Sequence, residues 1–227
     1  MCQAMNSVVH STPCRPIGFI VEGEGEFGTY ERLIYKIIGT SNCSLRLSNA
    51  GGAGNIVRHL DRELGYLVKT YHPCLVFVTI DLKDVIKQGV CSCCRELHTL
   101  LKEKIDNWSA SVAGNPAFQP SPEAITIIIQ IQAYETWLIA DVNGLCSGNC
   151  LTAPEPQPAS VDHAIAEPCT WLHERLVTGL NTKKPAHMKK LFSLVDPHIM
   201  RNNSSSFDKF FREVNSAYTW WCSKYGT

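Results

Sequence analysis

Nowhere does the chain carry an apolar run close to the roughly 20 residues that a membrane-crossing helix needs, which excludes such a helix and leaves no membrane partner to expect. An excess of charge of one sign is also missing: 21 Lys and Arg balance 21 Asp and Glu. A polyanionic partner would have to be met by a local basic patch, because the overall field offers no attraction. The opening residues, M-C-Q-A-M-N-S-V-V-H, have neither a basic n-region nor an apolar h-region, so no secretory signal is expected and a cytoplasmic location is. The glycine-rich stretch E-G-E-G-E-F-G that ends at Gly28 does not fit G-x-x-x-x-G-K-[ST] and no Walker lysine follows it. ATP hydrolysis by this chain is therefore not expected. His163, His173 and His198 stand at no spacing from a Ser or Cys that suggests a nucleophilic triad. There is no internal repeat.

Cysteine, by contrast, is abundant, with 11 residues. An odd number without a signal peptide argues against a disulfide framework and for a reducing compartment. Cys146-x-x-x-Cys150 has usable ligand spacing for zinc, but Cys91-Ser-Cys93-Cys94 lacks the C-x-x-C knuckle. Small apolar thiols filling a core account for both, and a structural zinc is not expected.

A chain of 227 residues, 44% hydrophobic and 19% charged, is one ordinary domain or one domain with an appendage. Residues 1–16 read as a loose arm. Strands are predicted over 17–22, 43–48, 74–80 and 124–131, each an apolar or alternating run bounded by turn residues. Helices are predicted over 28–40, 55–71, 91–112 and 136–142 from apolar residues at helical spacing, with a tight glycine turn between Glu22 and the first of them. Alternating strands and helices with short connections predict an α/β core over 17–145: a parallel four-stranded sheet flanked by helices, built from right-handed crossovers. A proline-rich linker over 146–160 leads to a helical C-terminal region over 161–227, packed on the core, with helices over 160–178, 183–195 and 206–222.

In such a sheet functional groups gather outside the carboxyl ends of the strands. Three predicted strands end in acid: Glu22, then Asp81 with Asp84, then Glu135. Each alone is explained by a helix cap or a solvated loop. Three in the same structural position converge on one rim, where carboxylates repel one another unless a divalent cation is shared. Glu26 is a second candidate ligand at the first turn.

These residues resemble a Toprim (topoisomerase–primase) domain: E-G-E-G-E after the first strand, an acidic pair after the third, then I-Q-A-Y-E-T-W-L-I-A-D. They look closest to a prokaryotic Toprim-like family of uncharacterised proteins, related to OLD-type nucleases and often encoded beside an ABC-type ATPase. K-K-P-A-H-M-K-K-L-F, from Lys183 to Phe192, resembles that family's C-terminal helical region. The resemblance implies a Toprim-like fold and an Mg²⁺- or Mn²⁺-dependent nuclease, the effector of an ATPase-coupled anti-phage defence system. It also implies that Glu22 is a general acid/base or metal ligand, that Asp81 holds Mg²⁺, and that Glu135 is the additional glutamate of the OLD-like relatives. The chain departs from the usual Asp-x-Asp, placing Lys83 at the second position and Asp84 one step on. Either Lys83 stands in for one cation or Asp84 reaches in through an altered turn.

Lys183, Lys184, Lys189 and Lys190, with His187 and Arg201 nearby, form a basic cluster suited to phosphates or, equally, to a solvated helix face. Together with Lys83 they are the candidate nucleic-acid contacts. Trp220, Trp221 and Tyr225 could stack bases, although helix packing explains them as well. Two further readings stand beside the nuclease. The broken Asp-x-Asp and the aromatic C-terminus suit a non-catalytic Toprim-like assembly module partnered with an ATPase. The strand-end logic alone also suits another α/β phosphatase or nucleotide-binding enzyme. DNA and RNA are not distinguished, and a homo-oligomer is compatible with all three.

Overall fold

The structure, a computed structural model, describes residues 14–115 and 122–225. Most of the arm expected over 1–16 lies outside them, as do residues 116–121, between the third predicted helix and the fourth predicted strand. Four strands, β1 (Ile17–Val21), β2 (Leu45–Asn49), β3 (Leu75–Asp81) and β4 (Ile125–Gln130), form one all-parallel sheet in the order β2-β1-β3-β4. Between them run α1 (Glu24–Ile38), α2 (Ala53–Tyr71), α3 (Leu82–Lys87) and α4 (Cys94–Ser111). The α/β class and the four parallel strands expected from the sequence are present.

Alternation along each strand divides the core between two faces. Phe19 of β1 and Phe77 of β3 stack at 4.8 Å on the face that α1 covers, while Ile20, Val76, Val78 and Ile80 meet α2, α3 and α4 on the other. With both faces covered, the strands read as nearly unbroken apolar runs, which is what made them visible in the sequence. On the outer edge of β4, Lys209 donates to the Ile127 carbonyl at 3.0 Å, occupying an acceptor that another strand could otherwise pair with.

Three predicted elements are corrected. The first helix begins at Glu24, four residues before the predicted start at residue 28, so the glycine turn is reduced to Gly23 alone. Acidic residues in the first turn favour a helix start, and the Glu26 carboxylate reaches back to accept from the Gly23 N–H at 2.9 Å, half of a capping box. The helix predicted over 160–178 is two short ones, α7 (Val161–Ala164) and α8 (Pro168–Arg175); a proline at helix position N1 starts a helix more readily than it continues one. The helix predicted over 136–142 is likewise divided into α5 (Thr136–Ile139) and α6 (Val142–Ser147), with Asp141 capping the second by accepting from Gly144 N–H at 3.0 Å.

The C-terminal region continues with α9 (Pro185–Leu194), α10 (Pro197–Asn203) and α11 (Ser205–Tyr225). Helices α9 and α11 lie on α1, and one apolar cluster runs from β1 through α1 into both. Tyr30, Trp137, Phe207 and Phe210 form its centre, with Trp137 stacked on Phe210 at 5.0 Å and set edge-on to Phe207 at 5.1 Å. Each such buried ring contributes roughly 2–3 kcal/mol of burial energy. Polar ties fix the same joint. Lys36 of α1 donates to the last carbonyls of α9, including Ser193 O at 3.1 Å, and Trp137 donates to Ser206 Oγ at 3.0 Å. Trp221 is also a packing residue, nearly buried and donating to Arg15 O at 2.8 Å, whereas Trp220 is exposed with the Lys224 ammonium over its ring. Among the described residues no helix is long and apolar enough to cross a membrane.

Candidate metal centre

The carboxyl ends of β1 and β3 lie side by side because the two strands pair directly. Glu22 follows the last residue of β1, and its carboxylate accepts a short hydrogen bond from the Asp81 backbone N–H at the end of β3. Asp81 is both the final residue of β3 and the N-cap of α3, and Asp84 lies in the first turn of that helix. Residues three apart at a helix start share one face, so the unconventional spacing still brings Asp84 to the rim. Carboxylate oxygens of Glu22, Asp81 and Asp84 all lie within 4.8 Å of one another, and among the described residues this is the one group of three or more His, Cys, Asp or Glu that could hold a metal ion.

The electrostatics are unfavourable as they stand. Burial, then the neighbouring Glu26, pushes the Glu22 carboxyl up to about 9, against the pull of the Asp81 N–H. Burial and the charge of Glu22 hold Asp81 well above the usual carboxylate range. Asp81 Oδ1 is shut off from solvent and has no hydrogen-bond partner. Left unpaired, a buried polar oxygen costs roughly 1–3 kcal/mol, more when it is charged. A cation would relieve both the repulsion and the unmet acceptor. The donor set of oxygens only, one buried and one exposed to solvent, fits a hard divalent ion that keeps some of its water.

The remaining predicted site residues are distributed around this trio. Glu26 is buried and already committed: besides Gly23 N–H, it accepts from the Gln130 amide at 3.0 Å. Burial raises its carboxyl to about 7, with those donors holding it down. Glu135 opens α5 after β4; burial raises its carboxyl above the usual range, with the neighbouring Cys169 thiol opposing and Asp84 adding to the effect. Lys83 is engaged elsewhere, its ammonium on the Ala166 carbonyl and on Glu167 at 2.5 Å.

A cleft of about 380 Å³ opens onto the carboxylates. One side is the start of α1, Glu22–Glu26, with Asp81 and Glu135; another is the Gly51-Gly52 turn at the start of α2. Both glycines have positive φ, +75° and +122°, which L side chains rarely adopt. The third side comes from the C-terminal region, through Thr182, Lys183 and Pro185. Of the basic cluster, Lys183 lines the cleft, Lys184 and Lys190 are exposed, and the Lys189 stem crosses α1 at Gly28, where an added Cβ would come within 2.9 Å of it.

Sequence reasoning passed over Tyr134, which also lines the cleft. Its one visible signal is position, next to Glu135 at the end of a strand. Burial raises its hydroxyl well above the ordinary phenol range, with Glu135 and Glu26 adding to it and Thr29 opposing. Gln130 was missed too, although a glutamine inside I-I-I-Q-I is an amide that needs a buried partner; it meets Glu26 and the Tyr30 hydroxyl.

No curated protein and no solved structure matches the chain. Residues 21–215, which include every residue of the cleft, match the family described as a domain of unknown function, DUF4276, and the chain belongs to that family.

Proposed function

We propose that the protein is a divalent-metal-dependent nuclease that hydrolyses nucleic-acid phosphodiester bonds, with Mg²⁺ or Mn²⁺ held by Glu22, Asp81 and Asp84. The observation that carries this reading is the buried, unpartnered Asp81 oxygen inside a trio of carboxylates at the strand ends. When bound, the ion would polarise a phosphoryl group and make a coordinated water nucleophilic near neutral pH. The chain's own residues do the rest. Glu22 is fixed by the Asp81 N–H, so one oxygen keeps its direction while the other is free to act as ligand or base. Glu135 stands beside the trio with a raised pKa, which suits a group that takes or returns a proton. Lys183 supplies positive charge at the cleft wall, where a phosphate backbone can be steered.

The test is cleavage of single- and double-stranded DNA and RNA in Mg²⁺ or Mn²⁺, beside calorimetric titration of the ion. Glu22→Ala and Asp81→Ala are expected to abolish cleavage while leaving the circular dichroism spectrum intact; cleavage surviving both sinks the proposal. A partner ATPase belongs to the same proposal and is tested by co-purification from the native host.

A further inference from the structure

Tyr134 presents a chemical problem that the metal centre does not solve. Its ring is clamped, stacked on Phe192 of α9 at 5.1 Å and tilted against Tyr30 of α1 at 6.2 Å, and only 5% of the residue is exposed. Its hydroxyl has no partner in hydrogen-bond geometry. The neighbouring Thr29 hydroxyl donates to the Gly25 carbonyl at 2.6 Å. A buried tyrosine hydroxyl normally finds a partner, and leaving it without one costs roughly 1–3 kcal/mol. The hydroxyl is beside Gly25, where an added Cβ would lie 3.4 Å away, and both residues line the cleft. The missing side chain at Gly25 spares the phenol oxygen, itself shut off from solvent, a further neighbour on that side.

The occupant's charge follows from the surroundings. Helices α1 and α2 both begin at the cleft, at Gly23–Glu26 and Gly51-Gly52, so both present their positive ends to it. Lys183 approaches from the C-terminal region on a loop pinned by Asn181, which accepts from the Lys183 N–H at 2.8 Å. Donors and carboxylates share the cleft, with the α1 start and Tyr134 beside the acids and Lys183 on the C-terminal side.

We propose that the Tyr134 hydroxyl and the Lys183 ammonium together hold a phosphate in the cleft, binding a non-bridging oxygen of a nucleic-acid phosphodiester beside the carboxylate trio. The inference rests on the phosphodiester reading above and adds two positioning residues to it, both dependent on the C-terminal helices.

The experiment measures anisotropy of a short fluorescein-labelled single-stranded DNA and of the matching RNA, in Ca²⁺ to prevent turnover, beside calorimetric titration of Mn²⁺. Tyr134→Phe keeps the ring and both stacking contacts and removes an unmet hydroxyl, so its ligand-free melting temperature is expected to match or exceed that of the wild type. Tyr134→Phe and Lys183→Ala are each expected to weaken the tighter-bound probe about tenfold or more, the loss of a hydrogen bond to a charged group. The Mn²⁺ isotherm is expected to stay unchanged, and Lys183→Arg to restore binding. Gly25→Ala is expected to weaken the probe while raising stability, since alanine is the better helix former. Wild-type probe affinity in Tyr134→Phe overturns the inference, as does loss of Mn²⁺ binding in that variant or a wild type that binds neither probe. A wild type that takes no Mn²⁺ overturns the metal reading instead, and the Tyr134 and Lys183 variants are then judged on probe binding without metal.

Discussion

Asp162 is buried, Asp81 is half-buried with one oxygen shut off from solvent, and their surroundings are opposites. Asp162 of α7 accepts from Ser204 Oγ, Ser205 Oγ and Ser206 N–H at 2.8 Å each, and from Ser206 Oγ at 3.0 Å. The carboxylate caps the start of α11 from a distant segment, where the helix dipole also favours a negative charge. Asp81 has one oxygen with no donor at all and faces two other carboxylates. Some burial is common to both, so burial alone says nothing about function. What separates them is whether the chain has provided the donors. Where it has, the carboxylate is a structural bolt; where it has not, the arrangement is complete only with something from outside.

The largest effect expected from this contrast is on stability. Asp162→Ala strands several buried donors and is expected to cost about 3–5 kcal/mol in urea unfolding. Asp81→Asn keeps the neutral form that burial and repulsion already favour at this carboxyl and is expected to leave the metal-free protein as stable as before or more so, by about 1 kcal/mol. The same Asp81→Asn change is expected to weaken Mn²⁺ binding at least a hundredfold in calorimetry, the loss of a charged ligand from a small donor set. If the two substitutions destabilise alike, the distinction between bolt and binding site collapses.

The contrast is only half visible in the sequence. The acids that end strands announce themselves because an apolar run stops at them, so Glu22, Asp81 and Glu135 were legible, as were all four strands. Asp162 was not, because its partners Ser204–Ser206 are some forty positions away and S-S-S-F reads as a loop. The start of α1 was obscured by its alternating glycines, whose weak helix propensity hides a cap that depends on the Glu26 side chain. Tyr134 escaped because an unmade hydrogen bond is a property of three-dimensional surroundings, and nothing in the chain order reveals it.

A smaller and more graded effect concerns pH. Glu26 and Glu22 have folded-state pKa values of about 7 and about 9, above the ordinary carboxylate value near 4.5. Between those values the native protein holds protons that the unfolded chain has released, so stability falls as pH rises. The metal-free melting temperature is therefore expected to decline from about pH 6 to about pH 9, the contribution being complete only below the unfolded pKa. Metal binding expels the protons, roughly one to two per ion near neutral pH, so saturating Mn²⁺ is expected to flatten or reverse the slope. A metal-free protein whose melting temperature rises over this range would contradict the protonated state assigned to the rim.

The smallest effect is expected at Lys83, and it sharpens the comparison by carrying the same logic to a cation. Its ammonium is occupied by Glu167 and the Ala166 carbonyl, so the chain has supplied its partners as it did for Asp162. Lys183 lines the cleft and makes no ion pair among the described residues. Because Glu167 is exposed, the Lys83 pair is screened by solvent and salt. Lys83→Ala is expected to leave the urea midpoint within error and to reduce oligonucleotide affinity far less than Lys183→Ala. Glu167→Gln frees the ammonium and is expected to raise that affinity slightly at low salt, with the gain vanishing as salt increases. Equal losses from Lys83→Ala and Lys183→Ala would mean that the phosphate-facing surface extends past α3 toward α8, and that a partner supplied by the chain does not by itself take a charged group out of function.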